Sequence, residues 1–195
     1  MTRPFLILQL RPEDDTSDNE YAAIMKYGGL DSKEVHRLRI EKIGIPDDLA
    51  LDQYSGIIVG GSPFDISTAE QDKTIIQKKI EQDFKKLFDA VVPNDIPFLG
   101  ACSGNGLLGS YLGTSISKRY GEPVSCVKLD ITTAGKEDPL LSGFPDKITV
   151  LLGHKEACDT VPDNAVLLMT GNDCPVQMFR VGRNVYATQF HPEGD

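Results

Sequence analysis

The sequence predicts an α/β fold with a mostly parallel sheet flanked by helices and additional strands in its second half. Short apolar runs without alternation, such as residues 5–10, are typical of parallel strands that are buried on both faces. Helical patterns separate the early runs, as they do when parallel strands are joined by crossover helices. From residue 124 onward the pattern changes to successive strands divided by turn residues.

The first half of the chain is predicted to alternate buried strands with helices. The acids of segment 11–19 lack the periodicity of metal ligands, so this segment is predicted to be a solvated loop. Gly28-Gly29 is expected to end the first helix, because glycine adopts the left-handed conformation of a helix cap. In chain order, the predicted elements are strand 5–10, loop 11–19, helix 20–27, strand 35–43, a loop or helical turn over 46–53, strand 56–59, helix 70–90, strand 96–99 and helix 103–112.

The second half of the chain is predicted to be rich in strands. Turn residues such as Ser142-Gly143 and Gly182-Arg183 separate the apolar runs. The predicted strands are 124–131, 148–152, 166–169, 176–180 and 184–190. No internal repeat or linker divides the sequence, so residues 1–195 are expected to form a single domain.

Composition argues against several function classes. A net charge of −9 argues against a nucleic-acid partner, which needs basic surface. No apolar stretch approaches the ~20 residues of a membrane span, and the N-terminus lacks the features of a signal peptide, so a cytoplasmic location is expected. The four cysteines are far apart and form no C-x-x-C pair, so we expect no metal, no disulfide framework and no other cofactor.

The segment Gly100-Ala101-Cys102-Ser103-Gly104 contains the candidate nucleophile. A cysteine between glycines, where a strand runs into a helix, is the thiol form of the nucleophile elbow. The helix that starts near Ser103 would favour a thiolate and an oxyanion, because its first N–H groups are free and its dipole is positive there. The same five residues also suit a buried structural cysteine in a glycine-rich turn, so the motif alone leaves both interpretations open.

His191 is the candidate base for this nucleophile. It follows an apolar strand, and Glu193 stands two residues further along the chain. Because the carboxyl ends of parallel strands form the ligand crevice of such sheets, His191 and Cys102 are expected to meet there. Glu193 could then hold the imidazole in one tautomer. A surface turn is the simpler interpretation of this segment in isolation, but the cysteine elbow favours a catalytic pair.

Three blocks in this order resemble the class I (triad) glutamine amidotransferases, in particular their stand-alone, GMP-synthase-like glutaminase domains. The blocks are Gly60-Gly61-Ser62-Pro63, the Cys102 elbow, and Gln189-Phe190-His191-Pro192-Glu193. The resemblance covers essentially the whole chain and implies the flavodoxin-like fold of that family. It implies a catalytic triad of Cys102, His191 and Glu193, with an oxyanion hole formed by the N–H groups of Gly61 and Ser103.

The resemblance also implies residues that lie near the substrate. Gly60 belongs to the glycine turn, where the lack of side chains lets a backbone N–H approach a carbonyl group. His154 lies in a segment that is similar to the family's Ser-His-x-Asp and is expected to be structural or substrate-shaping. Val176 falls where the family often contacts the α-groups of glutamine. Gly106 stands where the family often has glutamine, and Asn105 is the candidate that compensates for it.

The implied function is hydrolysis of the glutamine side-chain amide through a γ-glutamyl thioester on Cys102. The family transfers the ammonia to an acceptor on a synthase, and a partner synthase is expected because 195 residues leave no room for a synthase domain. Two alternatives stay open. One is a γ-glutamyl peptidase or hydrolase that uses the same triad, which Gly106 favours, and the other is a non-catalytic regulatory module.

The chain ends at Asp195, two residues after Glu193. The family usually continues into a final helix that packs against the sheet. The domain is therefore expected to be shortened at its C-terminus or naturally minimal, with one apolar sheet face under-covered.

Overall fold

The helices and strands confirm the predicted α/β fold. A computed structural model describes residues 3–194 of the chain. In chain order the elements are β1 (Phe5–Gln9), α1 (Asp14–Gly28), β2 (Val35–Arg39), α2 (Ile40–Ile43), β3 (Gly56–Val59), α3 (Ile75–Val91), β4 (Phe98–Ala101), α4 (Ser103–Tyr111), β5 (Ile116–Ser117), β6 (Glu122–Ile131), α5 (Thr133–Lys136), β7 (Lys147–His154), β8 (Ala157–Cys158), β9 (Ala165–Thr170), β10 (Met178–Val181) and β11 (Val185–Thr188).

Nine strands of the described residues form one sheet, in the order β2-β1-β3-β4-β11-β10-β9-β6-β7. Strands β2, β1, β3, β4 and β11 pair in parallel. Strands β10, β9, β6 and β7 extend this parallel part by antiparallel pairing. The sheet therefore has the predicted parallel centre, and the second half of the chain supplies the additional strands.

The apolar core packs α3 and α4 against the parallel part of the sheet. Phe88 of α3 is fully buried, and its ring lies 5.3 Å from that of Phe98 and 5.4 Å from that of Tyr111, between centroids. A second apolar cluster, which includes Leu152 and Phe190, lies on the antiparallel part. None of the helices within residues 3–194 is long and apolar enough to cross a membrane.

The first helix begins earlier than the sequence predicts. Segment 11–19 is not a loop throughout, because α1 starts at Asp14. Asp14 and Asp15 occupy the first turn, where negative charge stabilises the positive end of the helix dipole. Asp14 also pairs with Arg39 at 2.9 Å, so this acid holds the helix against the end of β2. Gly29 supplies the expected left-handed cap, with φ 60°.

Three other boundaries also differ from the predicted ones. The predicted strand 35–43 stops at Arg39, and the next four residues form the helical turn α2. The predicted helix 70–90 begins only at Ile75, because the Thr74 hydroxyl caps it by accepting a hydrogen bond from the Gln77 N–H at 3.1 Å. The last strand ends at Thr188 rather than Phe190.

An apolar groove of about 430 Å³ lies on the sheet beside the end of the described chain. Leu99, Phe190 and Gly194 are among the residues that line it. At its edge, the side chains of Leu140 and Phe144 are 51% and 55% exposed. No helix within residues 3–194 covers these two side chains.

Candidate active site

Cys102 lies in the tight turn between β4 and α4. Its backbone has φ 51° and ψ −95°, a conformation that residues other than glycine rarely adopt. Two hydrogen bonds hold the turn: the Cys102 N–H donates to the Thr188 carbonyl at 2.8 Å, and the Asn105 N–H donates to the Cys102 carbonyl at 3.0 Å. A half-buried thiol in strained backbone between a strand and a helix has the geometry of a nucleophile elbow.

Helix α4 places its N-terminal end next to the sulfur. Ser103 is the first residue of this helix, so its N–H has no partner within the helix. The positive end of the helix dipole lies here and favours negative charge on a neighbouring group. The Ser103 hydroxyl donates to the Ser62 carbonyl at 3.5 Å, which links the elbow to the glycine turn after β3.

The elbow depends on a close approach of β4 to α4. A Cβ atom at Gly100 would lie 2.7 Å from the backbone carbon of Gly104, whereas a Cβ atom at Gly104 would lie 3.3 Å from the Val59 side chain. We expect Gly100→Ala to lower the free energy of unfolding by about 1–3 kcal/mol and Gly104→Ala to lower it less, because only the first clash is with backbone. Urea denaturation of both variants measures this difference, and equal losses would contradict it.

His191 and Glu193 are in direct contact. The His191 Nδ1 atom lies 2.7 Å from Glu193 Oε1, and both side chains are largely buried. The turn that brings them together is held by the His191 N–H, which donates to the Leu151 carbonyl at 2.9 Å, and by the Gly194 N–H, which donates to the His191 carbonyl at 3.1 Å. The carboxylate therefore fixes the orientation of the imidazole ring, since one ring nitrogen is committed to it.

The environment of His191 favours the protonated ring. Burial lowers the pKa of the imidazole, but hydrogen bonds with the Cys102 sulfur and the Glu193 carboxylate outweigh this effect and raise the pKa to about 10. At neutral pH the ring therefore carries a positive charge in contact with the cysteine. A neighbouring imidazolium favours the thiolate form of a nucleophile.

The sheet topology explains why these residues meet although they are distant in sequence. Strands β4 and β11 are parallel neighbours, and Ala101 pairs with Thr188 at their carboxyl ends. Cys102 directly follows β4, and His191 follows β11 with two residues between them. Carboxyl ends of neighbouring parallel strands form the ligand crevice of such sheets, as the sequence predicts for this pair.

The Gly60-Gly61 turn after β3 packs against the same site. A Cβ atom at Gly61 would lie 3.1 Å from Cε1 of His191, and one at Gly60 would overlap the carboxyl group of Glu20. The Gly61 N–H donates to Glu20 Oε1 at 2.9 Å. In this arrangement the N–H is bound to a carboxylate and not free for a substrate carbonyl beside Cys102. The role of Gly61 in an oxyanion hole stays a prediction.

A cavity of about 310 Å³ opens beside Cys102 and Ser103. Such a volume suits a small-molecule ligand. Gly106 lies in its wall, and a Cβ atom there would be 2.9 Å from Cδ1 of Ile66, so the isoleucine occupies the space that a side chain at 106 needs. The polar lining side chains include Glu122, His154, Glu156 and Gln189, and the apolar ones are Phe64, Pro123 and Val124.

A buried hydrogen-bonded cluster forms one wall of the cavity. Glu122 Oε2 accepts from Gln177 Nε2 at 2.6 Å and lies 2.9 Å from His154 Nε2. The other ring nitrogen of His154 lies 3.0 Å from the Glu156 carbonyl oxygen. Because both nitrogens of His154 face oxygen acceptors, the ring is fixed within the wall. This arrangement suits the structural or substrate-shaping role that the sequence predicts.

The sulfur of Cys174 lies near this wall. One ligand atom from each of Glu122, His154 and Cys174 falls within 4.8 Å of the others. Cysteine binds zinc as the thiolate, whereas burial raises the pKa of the Cys174 thiol to about 12. The carboxylate and imidazole are also hydrogen bonded to each other. These features favour a hydrogen-bonded wall over a metal centre.

Two predicted substrate-binding side chains do not reach the cavity. Asn105 is fully buried, and its Oδ1 atom accepts a hydrogen bond from the Cys158 thiol at 3.2 Å. Val176 is 1% exposed and packs within the main apolar core. The backbone turns both side chains into the interior, so a direct contact of either with the substrate stays a prediction.

Sequence reasoning missed Glu20 and Glu122, and it gave Gln189 no role beyond its place in the block that ends at Glu193. Glu20 is 6% exposed and Glu122 is 8% exposed. A signal for Glu20 was present, because it precedes Ile24 by four residues and so shares the buried face of the helix. Glu122 lies just before the predicted strand 124–131, in a stretch that had no distinguishing pattern.

Comparisons with known proteins agree with this geometry. Residues 21–195 match the family model for glutamine amidotransferase class-I. The glutamine-hydrolyzing GMP synthase subunit of Methanobrevibacter smithii is 27% identical over 174 residues, which cover 86% of this chain and 82% of the relative. The corresponding subunit of Methanosphaera stadtmanae is 28% identical over 174 residues, which cover 86% and 83%.

Solved structures have the same fold. A glutamine amidotransferase from Thermotoga maritima superimposes with a TM-score of 0.76 at 22% identity, covering 99% of this chain and 77% of that one. A glutamine amidotransferase from Methylobacillus flagellatus gives a TM-score of 0.74 at 16% identity, covering 100% and 72%. At these identities the likeness establishes the architecture alone.

Proposed function

The chain belongs to the class-I glutamine amidotransferase family, and on that premise we propose that it hydrolyses the side-chain amide of glutamine at Cys102. The observation that carries the proposal is geometric: His191 contacts Glu193 at 2.7 Å, and both follow the carboxyl end of β11, next to the end of β4 where Cys102 lies. A thiol, a base and a carboxylate that orients the base are the components of nucleophilic amide cleavage. In this proposal residues 1–195 act as one glutaminase domain.

The first half-reaction forms a thioester. The Cys102 thiolate attacks the amide carbon of the glutamine side chain, and the carbonyl oxygen takes up the negative charge of the tetrahedral intermediate. The protonated His191 then gives its proton to the amide nitrogen, the carbon–nitrogen bond breaks, and ammonia leaves. The raised pKa of His191, about 10, supports this step because the ring holds that proton at neutral pH.

The second half-reaction restores the enzyme. Neutral His191 removes a proton from water, and the resulting hydroxide attacks the γ-glutamyl thioester. The carbon–sulfur bond breaks, the sulfur departs as a thiolate beside the protonated His191, and the product leaves as glutamate after its new carboxyl group gives its proton to solvent. Glu193 keeps the ring in one orientation throughout both steps, which its 2.7 Å contact with Nδ1 supports.

The oxyanion needs hydrogen-bond donors near the sulfur. We assign this role to the N–H groups of Ser103 and Gly61, each worth about 3 kcal/mol in the transition state. The position of Ser103 at the start of α4 supports the first assignment. The second requires the Gly61 N–H to leave Glu20, to which it donates in this structure.

Substrate selection is assigned to the cavity walls. His154 shapes the wall beside Cys102. Gly60 is assigned an indirect role, because its lack of a side chain leaves room for the Glu20 carboxyl group beside the glycine turn. Asn105 and Val176 are assigned an indirect role, since their buried side chains support the elbow and the sheet beneath the cavity.

Ammonia released at Cys102 would be used by a partner. The relatives from Methanobrevibacter and Methanosphaera are named as one subunit of a glutamine-hydrolyzing GMP synthase. We propose by analogy that this chain delivers ammonia to a synthase on a separate polypeptide. A reducing compartment keeps thiols free, and all four cysteines are free in this structure, so we propose a cytoplasmic location.

A γ-glutamyl hydrolase is the second candidate, and the shape of the cavity favours it. Gly106 itself contributes no polar side chain to the wall, and Ile66 lies against it. Phe64 and Val124 add apolar surface to the same cavity. Apolar wall residues of this kind can contact an apolar group on the amide nitrogen of the substrate. Free glutamine has no such group.

A substrate panel separates the two candidates. We expect the purified protein to release ammonia from glutamine, and to hydrolyse γ-glutamyl anilide more slowly, because the polar walls beside Cys102 suit the small primary amide. Asparagine is the matched control, since it is one methylene shorter. A kcat/KM for the anilide that exceeds the value for glutamine would replace the amidotransferase proposal by the hydrolase. Mass spectrometry of acid-quenched protein should show a γ-glutamyl adduct on the Cys102 peptide with either substrate.

A further inference from the structure

Glu20 is a buried acid beside the active site that the triad does not use. It lies on α1 and is 6% exposed. Its carboxylate accepts three hydrogen bonds, from Arg11 Nε at 2.7 Å, from Gln9 Nε2 at 2.9 Å and from the Gly61 N–H at 2.9 Å. A carboxylate that is removed from water needs such donors, so the contact with Gly61 is part of its stabilisation.

The glycine turn is built closely around this carboxylate. A Cβ atom at Gly60 would overlap the carboxyl group of Glu20, and a Cβ atom at Gly61 would overlap the Arg11 guanidinium. A Cβ atom at Gly61 would also contact His191. The ion pair, the turn and the base therefore touch one another, and a change at Glu20 is transmitted to Gly61 directly.

One N–H group cannot make a linear hydrogen bond in two directions. While the Gly61 N–H donates to Glu20, it does not donate to an oxyanion formed at Cys102. We propose that Glu20 is a positioning residue that holds the Gly61 N–H in a resting arrangement, and that turnover requires this peptide to rotate toward Cys102. The inference rests on the proposed function, because the oxyanion role of Gly61 comes from it.

The rotation is feasible for this sequence. Two successive glycines permit backbone conformations that residues with side chains rarely adopt. After the N–H has left, the carboxylate keeps the hydrogen bonds from Arg11 and Gln9, so it is not left unpaired in the interior. The oxyanion competes for the N–H only while the tetrahedral intermediate exists, so the resting arrangement slows turnover without blocking access to the thiol.

Two substitutions of Glu20 test the proposal. Glu20→Gln replaces the charged acceptor by a weaker neutral one, and Glu20→Asp keeps the charge for Arg11 but withdraws the carboxylate from Gly61. We expect kcat for glutamine to rise about tenfold in each variant, because a charge-assisted hydrogen bond to the resting N–H is lost. Glu13→Gln is the matched control, since Glu13 is an exposed acid just before α1, and it should leave kcat unchanged.

The rate of Cys102 alkylation by iodoacetamide is the second measurement, because alkylation needs the thiolate but no oxyanion hole. We expect this rate to stay within about twofold of the wild-type rate in both variants. An unchanged or reduced kcat in a folded Glu20 variant overturns the proposal, and a parallel fall in alkylation shows that Glu20 supports the triad instead. If Glu20→Gln does not fold, kcat and the alkylation rate of Glu20→Asp alone decide whether the proposal stands. Failure of the proposed function is seen separately, as glutamine hydrolysis that persists in Cys102→Ala.

Discussion

We expect Cys102→Ala to reduce kcat for glutamine hydrolysis by at least about 10⁴-fold, because no other group can form the thioester. The variant should keep its fold, since the Cys102 side chain is only half-buried and its backbone hydrogen bonds do not involve the sulfur. A coupled assay for ammonia measures the rate, and circular dichroism reports the fold.

Cys126→Ala is the matched control for this experiment. Cys126 is an exposed thiol on β6 and does not line the cavity, so its removal should leave kcat unchanged. Burial raises the pKa values of Cys158 and Cys174 to about 12, so these thiols should resist alkylation in the folded protein. Alkylation that abolishes activity should therefore map to Cys102, and activity that persists in Cys102→Ala would refute the proposed mechanism.

The second large effect is expected at the base. His191→Asn should lower kcat by about 10³-fold or more, because the variant loses both the proton donor for ammonia and the cation beside the thiolate. Glu193→Gln should have a smaller effect, since the ring remains and loses only its charged partner. A larger loss of kcat in His191→Asn than in Glu193→Gln would support the proposed triad. A wild-type kcat in either variant would contradict it.

The pH profile gives an independent readout of the same pair. The pKa of His191 is raised to about 10, so the imidazolium and the activity that depends on it should persist to alkaline pH and fall as pH rises through that value. In Glu193→Gln the alkaline limb should move to lower pH, because one of the interactions that raise the pKa is weakened. The raised pKa also contributes stability that is fully present below the unfolded value of about 6.5 and is lost as pH rises through about 10. An alkaline limb that does not move in Glu193→Gln would show that Glu193 does not tune the ring.

The proximity of the segments that carry Cys102, His191 and Glu193 was predictable because their sequence signals are local. The elbow around Cys102 and the His191-to-Glu193 spacing are short patterns, and the rule that carboxyl ends of parallel strands meet was enough to bring them together. The structure agrees with that rule, since Ala101 and Thr188 pair in neighbouring strands. Short buried strands such as Gly56–Val59 were likewise visible as apolar runs between glycines and polar residues.

The parts that the sequence could not predict depend on contacts between distant segments. Nothing near Gly61 indicates that its N–H would meet Glu20, because that contact requires α1 and the turn after β3 to pack together. The side chains of Asn105 and Val176 were placed near the substrate by position alone, and the direction of each depends on the backbone that carries it. The start of α1 at Asp14 was missed because a run of acids suggests solvation as readily as a helix N-terminus.

The position of β11 in the sheet also has a consequence for synthesis of the protein. This strand joins β4 on one side to β10 on the other, so without it the sheet consists of two separate parts. Among the described residues, β11 is also the last strand to leave the ribosome. The base of the proposed mechanism, His191, follows it in the chain. A nascent chain therefore exposes Cys102 long before His191 exists, and the thiol acquires its partner only when the two parts of the sheet are joined. In the proposed mechanism, His191 can therefore act on the thiol only after β11 has paired with β4 and β10.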